Sequence, residues 1–491
     1  MTTINTNIGA INAQANMTRI NDDMNESMLR LSSGLRINAA KDDAAGMAIA
    51  EKMTSQIKGL NQAVRNATDG KNLVDTTEGA HVEVSNMLQR LRELAVQSSN
   101  DTNTATNRNN LTSEARQLIA EINSVAENTT FNGMKVLDGS FTNKQLQIGA
   151  DRGQTMTVNV DSAAATAIGA NVARSQSAVT TGTGLTDTDD VVAGGVTITI
   201  TGYAGSAEVE TTAGQSARDL AAEMNKLTAQ TGVEATATTA AKLSGFTTGD
   251  TVSFKIGTTA ANAVSIGDVA IADSTDIRGL RDAINAVSGQ TGITAEMASS
   301  TDNSAIVLRD ANGDDIMLTD VSSTTTDFSI DSLDADGKST GNAADLGQTS
   351  DSAAVTGTVE VASTKSFTVA SSTAEHFANT TEGSELESVA EIDLTTADGA
   401  AKAIGVIDMA LQKISQSRSD LGAVSNRLDS TISNLTNITV NVEAARSGVM
   451  DADFAKESSA MARGKILAQA ATAMLAQANA SQQNVLSLLR G

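Results

Sequence analysis

Residues 404–442 read IGVIDMALQKISQSRSDLGAVSNRLDSTISNLTNITVNV and repeat apolar side chains at alternating steps of three and four. This spacing is a heptad repeat, which places one apolar stripe along a long helix that packs against other helices. The stripe consists of Ile404, Ile407, Leu411, Ile414, Leu421, Leu428, Ile432, Leu435 and Val442, with Arg418, Ser425 and Thr439 at the remaining seam positions. The sequence therefore predicts a coiled-coil-like helix near the C-terminus.

The N-terminal side of the chain has the same pattern. Apolar steps of three and four predict a helix over residues 4–35, and after a polar interruption the steps resume over residues 44–99. A continuous helix over residues 44–99 would be roughly 85 Å long at about 1.5 Å per residue. Because glycine weakens a helix, we expect a local irregularity at Gly70 and Gly79.

The apolar stripe continues to both ends of the chain, where one thin molecule cannot cover it. We therefore predict that the two end helices pack on each other and then on further copies of the chain. The predicted subunit-interface residues in this coiled-coil core are Ile4, Ile8, Ile11, Met24, Leu31, Leu35, Leu467, Met474, Val485 and Leu488. Head-to-tail contacts that do not close into a ring generate a filament.

The chain between these ends changes character. A third helix is marked by the apolar positions between Leu111 and Val125, and residues 130–160 read as short strands with glycine turns. Residues 216–237 and 276–297 repeat a short amphipathic helix, a QTG turn and a strand at an offset of 60 residues, which suggests a duplicated module.

The predicted fold class is α+β. Both termini form a long coiled-coil-like helical bundle with a β-hairpin, and a β-rich central region of one or two small domains is inserted between them. Alternating runs such as VTITITG and TVSFKIG predict the strands of the insert.

Composition and charge exclude several classes of protein. The chain has no cysteine and no proline, so disulfides and thiolate metal sites are excluded. Neither a basic leader with an apolar run nor a stretch of about 20 apolar residues is present, so we expect no membrane insertion. Residues 161–400 hold 10 basic and 34 acidic residues, and 10 minus 34 equals the whole net charge of −24. Nucleic acid is an unfavourable partner, because a phosphate backbone needs a basic surface.

Candidate metal and catalytic residues are few. His81 and His376 are the only histidines and stand apart, so we predict structural or solvent-facing roles for them. DANGDD at 310–315 and DADG at 334–337 lack the glutamate of a calcium loop and read as ordinary Asx and glycine turns. No nucleophile, base and metal occur together, so we expect no enzymatic activity and no cofactor.

Several stretches of the two ends resemble the bacterial flagellins. The closest resemblance is in LRLSSGLRINAAKDDAAGMAIAEKM (29–53), and LQRLRELAVQSSN (88–100) and FNGMKVLDG (131–139) add to it. The chain end, from NVEAARSGVMDADFAKE (441–457) through ASQQNVLSLLRG (480–491), is similar as well. Together these motifs cover both helical ends, and the insert resembles the family only weakly, through its QTG repeats.

The resemblance implies a division of the chain and a role for each part. It implies an inner-core helix and hinge (1–43), a helical core with a β-hairpin (44–165), a variable surface insert (166–400), a second helical core segment (401–450) and a C-terminal inner-core helix (451–491). The polar spacer from Asn38 to Asp43 would be the hinge.

The same resemblance implies function and partners. The chain would polymerise with itself into the extracellular bacterial flagellar filament for swimming motility, after unfolded export by the flagellar type III apparatus. A flagellar secretion chaperone, the filament cap and the hook-filament junction proteins would be its partners. Two alternatives stay open: a hook-filament junction protein with similar ends, and a coiled-coil signalling receptor, which would need a membrane span or a ligand domain.

A further implied partner is the flagellin-sensing Toll-like receptor of hosts. By resemblance its contact residues would be Gln89, Arg90, Leu94 and Glu114. Arg90 and its neighbours Arg92 and Glu93 also have two interpretations, a solvated or salt-bridged face and a subunit interface, and packing of these helices in the family favours the interface.

Overall fold

A computed structural model describes residues 6–100, 102–185, 194–298, 303–324, 326–334, 337–348, 350–373, 377 and 380–490, with side chains described up to residue 481. Its helices are α1 Ile8–Ser33, α2 Ala44–Ser98, α3 Ala105–Asn128, α4 Ala217–Asn225, α5 Thr228–Thr231, α6 Arg278–Thr291, α7 Ala397–Met450 and α8 Phe454–Arg490. Its strands are β1 Thr130–Phe131, β2 Met134–Lys135, β3 Lys144–Gln147, β4 Thr155–Val158, β5 Gly169–Arg174, β6 Val179–Gly182, β7 Thr197–Thr201, β8 Ser206–Glu210, β9 Glu234–Ser244, β10 Asp250–Gly257, β11 Val264–Ser265, β12 Val269–Ile271, β13 Thr294–Met297, β14 Ile306–Asp310, β15 Ile316–Ser323, β16 Phe328–Leu333, β17 Ser339–Leu346, β18 Ser352–Val355, β19 Thr358–Ser363, β20 Thr368–Ser371, β21 Thr381–Gly383 and β22 Glu385–Ser388.

The heptad-rich stretches form the two longest described helices, α2 with 55 residues and α7 with 54. The predicted irregularity is wrong, because α2 continues through Gly70 and Gly79 without a break. At Gly70 the missing side chain serves packing, since a Cβ there would collide with Cδ1 of Leu146 from the hairpin of β3 and β4. A Cβ on Gly59 would likewise lie 3.1 Å from the Cβ of Ala150. These glycines let the hairpin approach the helix closely.

The chain divides into two compact units. The terminal unit comprises Met1–Thr76, Asn143–Asn159 and Leu421–Gly491, and the central unit comprises Thr77–Thr142 and Val160–Asp420. In the terminal unit, α2 and α7 bury a small apolar cluster that contains Leu60, Ala63 and Leu435. Leucine and alanine at heptad spacing thus face each other across the two helices, as the stripe predicts.

Three antiparallel sheets form the β-rich part of the central unit. Their strand orders are β13-β14-β9-β19-β5-β22 with β16 and β17 attached, β11-β10-β15-β18-β6 with β12 attached, and β21-β20-β7-β8. One buried core surrounds Phe254 and Phe328, and a second surrounds Val361 and Phe377. The central region is therefore β-rich, as predicted, with two hydrophobic cores.

The repeat at an offset of 60 residues forms the same structure twice. Each copy is a helical segment, a glycine in left-handed conformation with φ of 73° or 78°, and a strand; the helical segment is α4 followed by α5 in the first copy and the single helix α6 in the second. The Asn225 amide donates to the Ala235 carbonyl at 2.7 Å and its oxygen accepts from the Ala235 N–H at 2.8 Å. Asn285 makes the same pair with Ala295, at 2.8 Å each. One asparagine per copy thus fixes the strand against its helix, and the helices cover different cores.

Candidate assembly surfaces

The terminal helices α1 and α8 pack against each other in opposite directions. The Asn7 amide donates to the Ala478 carbonyl at 3.3 Å, and at the other end Arg30 lies 3.5 Å from the Glu457 carboxylate. Among the described residues of these two helices, no large apolar side chain is buried. The pair therefore covers only part of its own apolar surface.

Large apolar side chains are exposed along this pair. Among the described residues of α1 and α8, those exposed are Ile8, Ile11, Met28, Leu29, Phe454, Ile466, Leu467 and Met474. The exposed fraction reaches 65% at Met474 and 72% at Phe454. Exposed apolar surface of this extent on a helix pair is typical of an interface.

The predicted interface residues occupy different environments. Ile8, Ile11, Leu467 and Met474 are exposed, whereas Met24, Leu31 and Leu35 are half-buried. Ile4 lies outside the described residues, as do the side chains of Val485 and Leu488. Their part in a subunit interface stays a prediction. The predicted interface residues do not include Leu29, Phe454 and Ile466, which are exposed. They do not follow the predicted interface stripe. Their apolar character outside that stripe was the sequence signal that could have identified them.

A groove lies between α1 and α8. It has a volume of about 620 Å³ and is lined by Met24, Met28, Met461, Ala462, Lys465, Ala468, Gln469 and Thr472. Methionine is flexible and polarisable, so a groove of this composition adapts to the shape of an apolar partner.

The two loops next to these helices are joined by main-chain hydrogen bonds. The N–H of Arg36 donates to the Met450 carbonyl at 2.6 Å, and the N–H of Ala452 donates to the Gly34 carbonyl at 2.9 Å. Within the spacer, the Asp42 carboxylate accepts from two main-chain N–H groups, those of Ala39 and Asn38, and these bonds lower the pKa of Asp42. The spacer is thus an ordered turn, and its action as a hinge stays a prediction.

The proposed receptor residues lie in the central unit, on α2 and α3. Arg90 is half-exposed and pairs with Glu93 at 2.7 Å and with Glu114 at 2.9 Å. These carboxylates accept hydrogen bonds from the guanidinium and raise the pKa of Arg90. Gln89 is exposed as well, but Leu94 is only 1% exposed. The burial of Leu94 therefore gives no support to a receptor contact through its side chain.

Arg92 points to a different neighbour from Arg90. Its guanidinium lies 2.6 Å from the Asp408 carboxylate and joins α2 to α7. In the free chain Arg90, Arg92 and Glu93 therefore all have ion-pair partners within the same molecule. This is the arrangement expected of a salt-bridged surface. Such exposed pairs contribute only about 0–1 kcal/mol each to stability.

His81 occupies a buried seam position on α2. It is 1% exposed, and its Nδ1 has no hydrogen-bond partner among the described residues. Burial, together with the positive charge of Arg418, lowers the pKa of His81 to about 4, against a small opposing effect of Asp161. The imidazole is therefore neutral at physiological pH, which suits a packing role.

We expect acid to destabilise the chain through His81. Between about pH 6.5 and pH 4 the histidine binds a proton in the unfolded chain but not in the folded chain. The free energy of unfolding therefore has its full His81 contribution above about pH 6.5, and this contribution decreases as the pH falls towards about 4. The loss amounts to about 3 kcal/mol at full extent. Denaturant unfolding between pH 7 and pH 5, where most carboxylates stay ionised, measures it.

The His81→Leu protein is the matched control for this effect, because it keeps an apolar seam side chain and also keeps His376. It should unfold with a markedly smaller pH dependence over the same window. Equal pH dependence of both proteins would contradict a buried, neutral His81.

The other candidate sites are turns where the structure describes them; residues 335 and 336 of the DADG stretch lie outside the described residues. The Asp310 carboxylate accepts from the N–H groups of Asn312 at 2.7 Å and Gly313 at 3.1 Å, which is the predicted Asx turn. At the DADG stretch, Lys338 N–H donates to Asp334 at 2.8 Å. Within the described ranges, no three carboxylate or imidazole groups lie close enough to hold a metal ion. His376 lies outside the described residues.

None of the described helices has a stretch that is long and apolar enough to cross a bilayer.

Sequence profiles of one family match most of this chain. The "Bacterial flagellin N-terminal helical region" matches residues 4–142, and the "Bacterial flagellin C-terminal helical region" matches residues 404–489. The "Flagellin hook IN motif" matches residues 197–249 and 251–312, each of which contains one copy of the repeat.

Curated relatives match over the full length. The B-type flagellin of Pseudomonas aeruginosa is 38% identical, flagellin A of Vibrio cholerae is 33% identical, and the flagellin of Salmonella typhimurium is 35% identical. Each alignment covers 99% of this chain and 99% of the relative. Because these full-length relatives are flagellins, the alternative of a hook-filament junction protein loses support.

Flagellins are structural proteins of the extracellular flagellar filament, and they are not enzymes. The matched profiles include both ends of the chain, where the exposed helix pair lies. The chain belongs to the bacterial flagellin family.

Proposed function

We propose that this flagellin polymerises through α1 and α8 into a filament that serves swimming motility. The observation that carries the proposal is that both helices expose large apolar side chains and, in the described residues, bury none. Covering such side chains stabilises an assembly by about 25 cal/mol per Å² of apolar surface removed from water. A partner must therefore cover this surface, and we infer that the partner is another copy of the chain.

Charge supports self-association at the ends. The excess negative charge is confined to residues 161–400, whereas the helical ends are neutral in sum. Neutral ends can pack densely, while an anionic region repels its copies and stays hydrated. We therefore place the helical segments 1–43, 44–165, 401–450 and 451–491 in the filament core and the insert 166–400 on its surface.

The proposal includes a route out of the cell. The flagellar type III apparatus exports the chain unfolded, a chaperone covers α8 before export, and the cap and the junction proteins receive the exported chain. The exposed apolar side chains of α8 support a need for such a chaperone. The absence of proline and cysteine supports fast refolding, because neither prolyl isomerisation nor disulfide formation slows it.

Seeded growth tests the assembly proposal. Purified full-length protein is mixed with short filament seeds, and growth is followed by negative-stain electron microscopy. We expect the seeds to lengthen. The proposal is wrong if the chain is a monomer whose terminal helices are already sheltered from water, as hydrogen exchange would report, and if seeds do not lengthen.

We also propose that the flagellin-sensing Toll-like receptor contacts the free chain at Gln89, Arg90 and Glu114. The Arg90 side chain is half-exposed, and the carboxylates of Glu93 and Glu114 hold its guanidinium in place at the surface. Arginine is a frequent anchor of protein interfaces. We expect Arg90→Ala to reduce receptor activation by the purified monomer about tenfold in a cell reporter assay.

Arg92→Ala is the matched control, because Arg92 is equally exposed but pairs with Asp408 on α7. It should activate the receptor like the unaltered protein. A monomer that stays silent, or two variants that lose activity equally, would contradict the proposed contact.

A further inference from the structure

Methionine is the main oxidisable side chain of this protein. The chain has 16 methionines, no cysteine, no tryptophan and one tyrosine. Mild two-electron oxidants such as hydrogen peroxide attack sulfur first, and here the thioethers are the only sulfur atoms. The positions of the methionines therefore determine which surfaces of the protein a mild oxidant modifies.

Methionines are concentrated on the exposed terminal helix pair. Met28 is 50% exposed and Met474 is 65% exposed, and Met24 and Met461 line the groove between α1 and α8 together with Met28. By contrast, three methionines are almost fully buried, with exposed fractions of 3% or less: Met156, Met224 and Met317. Thioether oxidation follows exposure, so Met28 and Met474 on the surface that is proposed to assemble should be among the first methionines to oxidise.

We propose that the methionines of the α1–α8 groove and Met474 form a redox-sensitive modification site, and that their oxidation by peroxide blocks polymerisation of the free chain. The inference rests on the proposed function, since it needs assembly through this surface. In each reaction the thioether sulfur donates an electron pair to one peroxide oxygen. A sulfur–oxygen bond forms, the oxygen–oxygen bond breaks, and the leaving hydroxide takes up the remaining proton as water. The product is methionine sulfoxide.

Oxidation changes the chemistry of the groove. A sulfoxide is a strong hydrogen-bond acceptor, and the groove side chains that can donate to it are Lys465, Gln469 and Thr472. The Thr472 hydroxyl already donates to the Gln469 main-chain carbonyl at 2.7 Å. A partner that covers the groove removes water from the sulfoxide and from the Lys465 ammonium group and the Gln469 amide, which costs free energy wherever these groups are not paired with each other. Polymerisation would thus bury a polar group that the unoxidised side chain does not have.

The test compares seeded growth before and after oxidation of the full-length monomer. After hydrogen peroxide treatment, peptide mass spectrometry should find sulfoxide at Met28 and Met474 before Met224 and Met317. The lowest concentration that supports growth should rise at least about tenfold. Treatment with methionine sulfoxide reductases should restore growth, because they reverse the sulfoxide and no other damage.

A fourfold leucine variant isolates the site. Met24→Leu, Met28→Leu, Met461→Leu and Met474→Leu together keep apolar volume but remove the oxidisable sulfur, and such exchanges are well tolerated. Whatever its own lowest concentration for growth, that concentration should be the same before and after peroxide treatment of this variant. The matched control is Met134→Leu, which removes a thioether that is 44% exposed on the β2 hairpin. It should lose growth on oxidation as the unaltered chain does.

The outcomes separate the two proposals. If untreated protein grows and oxidised protein grows equally well, only the modification site is overturned. It is also overturned if reductases do not restore growth, or if peroxide inhibits the leucine variant as strongly as the unaltered chain. If untreated protein does not lengthen seeds, assembly through this surface fails and the modification site fails with it.

Discussion

The Leu467→Asp protein is expected to stay monomeric under conditions in which the unaltered chain lengthens filament seeds. Leu467 is 46% exposed on α8, so a carboxylate there is solvated in the free chain and should hardly affect its folding. In a filament the same carboxylate would be buried against a neighbouring copy without a partner charge, which costs several kcal/mol. Because every subunit repeats the contact, growth should be lost altogether. Negative-stain microscopy and sedimentation measure it.

The matched control is Leu386→Asp, the same exchange at a residue that is 38% exposed on β22 in the central unit. This protein should lengthen seeds at the normal rate, and both variants should keep the circular dichroism spectrum of the unaltered chain. Normal growth of Leu467→Asp, or equal loss of growth in both, would argue against assembly through α8.

Phe254→Ala is expected to lower the stability of the central unit by about 3–5 kcal/mol. Phe254 is 1% exposed on β10, and its ring lies 6.4 Å from that of Phe328, which stacks on Phe246 at 4.9 Å. The exchange leaves a cavity in a core with few aromatic residues, and the neighbouring strands cannot fill it. Calorimetry should show a melting temperature of the central unit that is lower by roughly 4–7 °C, because the entropy of unfolding of so large a unit makes the shift small.

Phe454→Ala makes the comparison selective. Phe454 is 72% exposed at the start of α8, so its removal should leave the melting temperature almost unchanged and weaken seeded growth instead. Phe254→Ala should lower the melting temperature and should leave seeded growth unchanged at temperatures at which the central unit stays folded. Equal melting temperatures of the two variants would contradict the burial of Phe254 in the core of the central unit.

The helices of the two ends could be predicted from the sequence, but one detail of them could not. Heptad spacing depends only on neighbouring residues, so it predicted α2 with nearly correct ends and the body of α7, which extends seven residues before Ile404 and eight after Val442. Gly70 was expected to disturb α2, because local propensity disfavours glycine in a helix. The reason for this glycine is the approach of Leu146, which is 76 residues away in the chain. A contact of this kind leaves no local pattern.

The strands of the insert were predictable as strands, and their pairing was not. Alternating residues reveal β-structure, yet β5 pairs with β19, whose residues lie 186–192 positions later, and with β22, whose residues lie 213–219 positions later. The repeated modules were the exception, because Asn225 and Asn285 occupy the same place in two similar stretches. Similarity at a fixed offset carries information about tertiary structure that a single strand does not.

The position of the candidate interface could be predicted from the sequence, but some of its residues could not. A periodic stripe identifies the face through which two helices meet, so it pointed to α1 and α8. Leu29 and Ile466 lie off that stripe and are exposed. A helix that contacts several neighbours needs apolar residues on more than one face, and such residues form no single period.

The main-chain hydrogen bonds between the two loops beside α1 and α8 have an evolutionary consequence. Arg36 and Ala452 make them through their amide N–H groups, which nearly every amino acid shares. The Arg36 guanidinium adds hydrogen bonds to the Val449 carbonyl, but the main-chain bonds do not depend on any side chain, and proline alone lacks the N–H donor that they require. Selection against that single residue type would suffice to preserve the link, and the chain has no proline at any of its 491 positions.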